Sequence, residues 1–194
     1  MKAVGRCCAV AALLAAGVSW PAGSFAVTLT RGPYVQMGHF TNQATIVWRT
    51  DMSSDSWVDY GLTPSYGSTA SGANGWQHEV TLTGLLSGTN YYYRVRSAGV
   101  NLASAQFMSG KSPGTPFRIA TFSDTHEAGA GGVGYRMSLF KPDLILAAGD
   151  ITDNGTFGEL DSNVFTKFTD ALKWAPMYWS PSVQIGRASC RERV

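Results

Sequence analysis

Two apolar runs in the second half of the chain end in the same way. Residues 117–123 read FRIATFS and lead straight into Asp-Thr-His-Glu; residues 143–149 read DLILAAG and lead into Asp-Ile-Thr-Asp. Short, nearly continuous apolar runs are strands buried on both faces, as in parallel sheets covered by helices. Residues 133–141 (VGYRMSLFK) predict a short helix stopped by Pro142. Residues 161–174 (DSNVFTKFTDALKW) space Val164, Phe165, Phe168, Ala171 and Leu172 for a second helix behind an Asp/Ser cap. Residues 175–180 (APMYWS) predict a third strand. The alternation is that of a parallel α/β sheet with helices on both faces. Loops at the carboxyl ends of neighbouring parallel strands lie side by side, so Asp124, His126 and Asp150 are expected to converge. Two carboxylates and an imidazole suit a divalent or trivalent transition metal.

The first half follows a different period. Residues 43–50 (QATIVWRT) alternate, with Ile46 and Trp48 on one face, and short strands follow at 56–61, 76–85, 90–99 and 104–109. Turn-rich joins such as GLTPSYGSTASGANG separate them, the pattern of a β-sandwich over residues 28–110. The stretch GLLSGTNYYYRVRS resembles the corner before the sixth strand of fibronectin type III domains, with Leu85, Gly88, Thr89 and Tyr91 in the matching positions. The resemblance implies that the Tyr91 hydroxyl ties back to backbone while its ring fills the core. TRGPYVQ (30–36) resembles the first strand of the version that precedes certain exported phosphoesterases. A Gly/Pro/Ser stretch at 111–116 is the expected linker to a second domain at 117–183.

The motifs of that second domain resemble those of the calcineurin-like metallophosphoesterases. Asp-Thr-His at 124–126 matches the family's first motif, Asp-x-His, and GDITDNG at 149–155 its second. The resemblance implies that Asp124 and His126 hold one metal and that Asp150 bridges to a second, the pair being Fe, Mn or Zn. A carboxylate can span ions ~3.5–4 Å apart, which clamp a phosphate ester and activate a water. Purple acid phosphatases share the two-domain layout but carry a metal-binding Tyr where this chain has Asp153, so the colourless branch is the closer resemblance. Asp153 is then a turn residue or a partner of the ligands. The family's third motif, Gly-Asn-His, does not occur in the 194 residues, nor do the later ligand histidines. A truncated, inactive phosphoesterase is therefore expected, its natural substrate a small phosphate ester or nucleotide.

Both ends bear on this reading. Residues 1–26 have Lys2 and Arg6, an apolar stretch too short for a membrane anchor, and small residues Ser24 and Ala26 before the break, as in a secretory signal peptide. A secreted or periplasmic, membrane-free protein is expected. Residues 184–194 (QIGRASCRERV) read as the in-frame translation of a sequencing-library adapter, beyond which the natural gene is expected to continue. Lys2 and Arg6 carry +2 and the last eleven residues another +2, so the formal net charge of +2 falls to −2 for 27–183. That removes any case for nucleic-acid binding. All three cysteines (Cys7, Cys8, Cys190) also lie in the ends, leaving no disulfide to support the fold.

Three secondary readings complete the set. GAGGVG at 129–134 fits the dinucleotide fingerprint G-x-G-x-x-G but begins well past the strand end, so a flexible loop at the mouth of the site is expected. His39 and His78 are expected on the sandwich surface. Trp57, Trp76 and Tyr66 are expected in the core and corners; the alternative function, a secreted fibronectin-type binding or adhesion module without catalysis, would expose them instead.

Overall fold

The computed structural model describes residues 26–38, 41–152 and 155–180, with backbone alone for 126–128. The predicted leader (save Ala26), His39, Asp153 and the basic tail lie outside the described residues.

Five antiparallel strands come first: β1 (Leu29–Met37), β2 (Ala44–Gly61), β3 (Ser68–Leu82), β4 (Asn90–Ser97) and β5 (Val100–Met108). β2 is the organising strand. Its first part pairs with β1 (Met37↔Ala44 to Leu29↔Thr50) and its last part with β4 (Trp57↔Arg96 to Gly61↔Tyr92). β3 follows it along both parts, with irregular register between Arg49 and Ser56. β2 and β3 therefore bend, and the sheet curls into a sandwich-like layer pair. Alternation explains the burial: in β4 every second residue from Tyr91 to Ser97 faces inward. Val35, Ile46, Trp48, Val58, Val80, Leu82, Tyr93, Val95 and Phe107 form the core. The Tyr91 hydroxyl accepts the Leu86 amide at 3.0 Å, as the corner reading required. β4 and β5 are joined at Ala98 and Gly99, both at positive φ (49° and 74°), the tight two-residue hairpin turn.

Residues 68–75, expected as part of a turn-rich join, are instead the first half of β3. Their alternating small residues pair with the outer part of β2, which supplies the packing they lack themselves. Trp57 and Trp76 are 38% and 58% exposed, correcting the core assignment, because their register turns them to the outer face. His78 is corrected in the other direction. It is fully buried opposite Trp48, its ring stacked on the indole at 4.8 Å.

The second unit holds β6 (Ile119–Phe122), α1 (His126–Phe140), β7 (Leu144–Ala147), α2 (Phe157–Glu159), a π-helical turn (Leu160–Thr166), α3 (Thr169–Trp174) and β8 (Met177–Trp179). The sheet is parallel, ordered β6-β7-β8. α1 begins seven residues before the predicted start of its helix (126 against 133). The glycine run expected as a loop lies inside it. At Gly134 a Cβ would stand 2.2 Å from the Lys167 carbonyl oxygen, so only glycine there lets α1 approach the helical stretch that follows β7. α1 ends on Lys141 at φ 49°, whose N–H returns to Met137, and Pro142 follows. A capping box between Thr156 and Glu159 opens the last helical stretch.

Ala130, Met137, Ile145, Ala147, Val164, Phe168, Ala171, Leu172 and Met177 form the second core, with Phe122 stacked on Phe168 at 4.8 Å. The expectation of helices on both faces is corrected: among the described residues they cover one. Ile119, Leu146 and Tyr178, alternating out of that core, are exposed. The two units touch closely. Tyr34 of β1 packs on Phe165 with ring centres 5.0 Å apart, and the Tyr93 hydroxyl donates to the Lys173 carbonyl at 3.3 Å.

Candidate metal centre

β6 and β7 run in register from Ile119↔Leu144 to Phe122↔Ala147. The pairing continues past both strand ends. The Ala148 N–H donates to the Phe122 carbonyl at 2.8 Å, and the Asp124 N–H to the Gly149 carbonyl at 3.3 Å. One backbone hydrogen bond thus sets the first aspartate beside the residue that precedes the second. Both aspartates then take the left-handed conformation, Asp124 at φ 53° and Asp150 at φ 52°, the latter after Gly149 at φ 93°. Few side chains tolerate that region, and Asp and Asn are among those that do. The two chains therefore leave the sheet through equivalent sharp turns, each with a carboxylate at its apex.

Asp124 is exposed, whereas Asp150 is half-buried with its Oδ1 atom out of solvent. Thr125, between Asp124 and α1, is buried, and its hydroxyl has no hydrogen-bond partner among the described residues. It caps α1 in position only, since its side chain accepts no helix amide. The first-turn amides of α1 therefore face the same end of the sheet as the two carboxylates.

Of the three predicted ligands, the backbone brings the Asp124 and Asp150 turns together and places His126 at the first position of α1. The His126 side chain lies outside the described residues, as do Asp153 and Asn154. Among the described residues no group of three His, Cys, Asp or Glu side chains gathers. Two carboxylates on adjacent turns are the donor type that a hard divalent or trivalent cation takes. Sequence reasoning missed the contribution of β1. Arg31 and Tyr34 reach the helical stretch that follows the Asp150 loop, and nothing in their local pattern pointed beyond the sandwich.

Comparison with known proteins bears on the fold that carries these turns. The family described as Purple acid Phosphatase, N-terminal domain, matches residues 30–113. The chain is similar in structure to purple acid phosphatase PPD1 from yellow lupin (Lupinus luteus) seeds, with 14% identity and a TM-score of 0.62 over 78% of this chain and 35% of that one. It is similar also to PhoD, with 13% identity and a TM-score of 0.63 over 79% of this chain and 38% of that one. It thus spans just over a third of the length of each. No curated protein matches it. Residues 30–113 match the purple acid phosphatase N-terminal domain, and the sandwich with the strands and helices after it shares its fold with part of the lupin purple acid phosphatase and of PhoD.

Proposed function

We propose that the chain is the leading part of an exported phosphoesterase in which Asp124 and His126 hold one metal ion and Asp150 bridges it to a second. The ions would be drawn from Fe, Mn and Zn, and when bound they supply Lewis-acid charge and an activated water. The observation that carries this reading is the Asp124–Gly149 hydrogen bond, which sets two left-handed aspartates side by side at the carboxyl ends of β6 and β7. The chain's own part is positional. The paired strands hold the carboxylates on neighbouring turns, and the N-terminus of α1 presents amide groups suited to a phosphate oxygen. The family match over residues 30–113 supports the phosphoesterase class. The substrate is a small phosphate ester or nucleotide.

The 194 residues contain no Gly-Asn-His, so the leaving-group acid and the remaining ligands of the resemblance are missing. No useful turnover is expected from this chain. The test is hydrolysis of p-nitrophenyl phosphate and its bis-ester with added Mn²⁺. Absence of turnover agrees with the account; turnover abolished by Asp150→Ala would show that these residues suffice.

A second reading, a secreted binding module, draws support from the exposure of Trp57 and Trp76 on the outer face of the sandwich. Glycan binding that is unaffected by metal chelation and lost in Trp57→Ala would favour it.

A further inference from the structure

The bend in β2 is spanned by one buried imidazole. His78 Nε2 lies 2.7 Å from the Thr50 hydroxyl, at the end of the regular first part of β2. Its Nδ1 lies 2.8 Å from the Ser56 hydroxyl, where regular pairing resumes. Both hydroxyls are buried, and each already donates to a backbone carbonyl: Thr50 to Met52 at 2.7 Å, Ser56 to Ala73 at 2.6 Å.

Counting hydrogens decides what this arrangement requires. A hydroxyl has one hydrogen. With that hydrogen given to a carbonyl, each oxygen offers the ring lone pairs alone. Both ring nitrogens then face acceptors, and only the doubly protonated imidazolium donates at both. A neutral ring has one bare nitrogen. The hydroxyl facing it must turn its hydrogen to the ring and release either Met52 or Ala73.

We propose that His78 is a proton-operated latch on the β2 bend. When protonated it ties Thr50 to Ser56 while both hydroxyls keep their carbonyls. When neutral it frees one of those carbonyls and loosens the segment between residues 50 and 56.

The surroundings decide how readily the proton is held. Burial pushes the imidazole below its ordinary range, and the Asp55 carboxylate, on β2 itself, opposes that. Asp55 is anchored in turn by the Ala98 amide of the β4–β5 turn and by the Trp57 indole N–H. From β4, Ser97 accepts the indole N–H of Trp48, the ring stacked on His78. Arg96, also on β4, is bound to Asp59. The latch therefore closes in acid, below the usual imidazole range, and opens on the neutral side.

The test is a pH titration of the whole chain, labelled with ¹⁵N-histidine, read by long-range ¹H–¹⁵N spectra; His78→Gln assigns the signal. Expected is an acid-side change of His78 to the form protonated at both nitrogens, with amide shifts near Met52 and Ala73 moving at the same midpoint. Thr50→Val and Ser56→Ala, each removing one acceptor, should lower that midpoint by half a pH unit or more. A ring that stays a single neutral tautomer down to the pH at which the fold is lost overturns the proposal. So does a midpoint unchanged in both variants.

Discussion

Arg31 of β1 sets its Nε 2.5 Å from Asp161 Oδ1 of the π-helical turn, crossing from the sandwich into the α/β unit. The Arg31 side chain is 10% exposed, and its guanidinium lies 4.1 Å from the centre of the Phe165 ring. A planar guanidinium that both pairs and stacks is poorly replaced by an ammonium.

Arg31→Ala should therefore cost about 1–3 kcal/mol, the range for losing a hydrogen bond to a charged group together with the packing of the stem. Arg31→Lys should recover less than half. Hydrogen exchange checks where the loss falls: amides of α3 should lose protection before those of β4. Equal loss in both would mean that Arg31 does not tie the units together.

Glycine 134 offers a paired test within α1. Gly134→Ala puts a methyl group 2.2 Å from the Lys167 carbonyl oxygen and should destabilise the α/β unit by about 2 kcal/mol or more. Gly131→Ala, where a Cβ meets nothing within 4 Å, should stabilise by about 0.5–1 kcal/mol through helix propensity. Urea unfolding of both variants checks this, and the same sign for both would contradict the packing account.

That glycine also marks where local reading stops. Alternation in residues 43–50 and 90–97, the Tyr91 corner and the two apolar runs ending in Asp were legible because each depends on neighbours in sequence. The glycines of 129–134 read as a loop because propensity disfavours them in helices, yet they lie inside α1, where the approach to Lys167 demands glycine at 134 and a Cβ at 129, 131 or 132 would meet nothing within 4 Å. His78 read as a surface residue because its polar partners, Thr50 and Ser56, come from another strand. Trp57 and Trp76 read as core and corner residues, whereas strand register turns them to the outer face. The aspartates of the candidate site were legible as residues; their common left-handed backbone was not.

Asp59 should make the sandwich sensitive to strong acid. Burial alone would push its carboxyl up, but hydrogen bonds from Arg96, Arg94 and Thr69 outweigh this and hold it at about 2. A depressed folded value means stability present above the ordinary 3.8 and lost as pH falls towards 2. The melting temperature should drop across that interval, and Asp59→Asn should flatten the drop while lowering stability at pH 5 by about 1–2 kcal/mol. Parallel melting curves for the two proteins would assign the acid response elsewhere.

Tyr91→Phe should cost about 0.5–1.5 kcal/mol, because it removes the hydroxyl that accepts the Leu86 amide and little else. Thermal unfolding checks it. A neutral substitution would leave the corner hydrogen bond without energetic weight.

In the proposed function the turns after β6 and β7 share a cation. Asp124→Asn and Asp150→Asn remove a carboxylate but keep a residue that tolerates the left-handed backbone, so the fold should survive. Calorimetric titration of the 194-residue chain with Mn²⁺ is the direct measurement, with circular dichroism confirming the fold of each variant. Binding by the parent chain is expected, weakened at least tenfold in each variant. Absence of binding by the parent, or equal binding by all three, would contradict the proposed function.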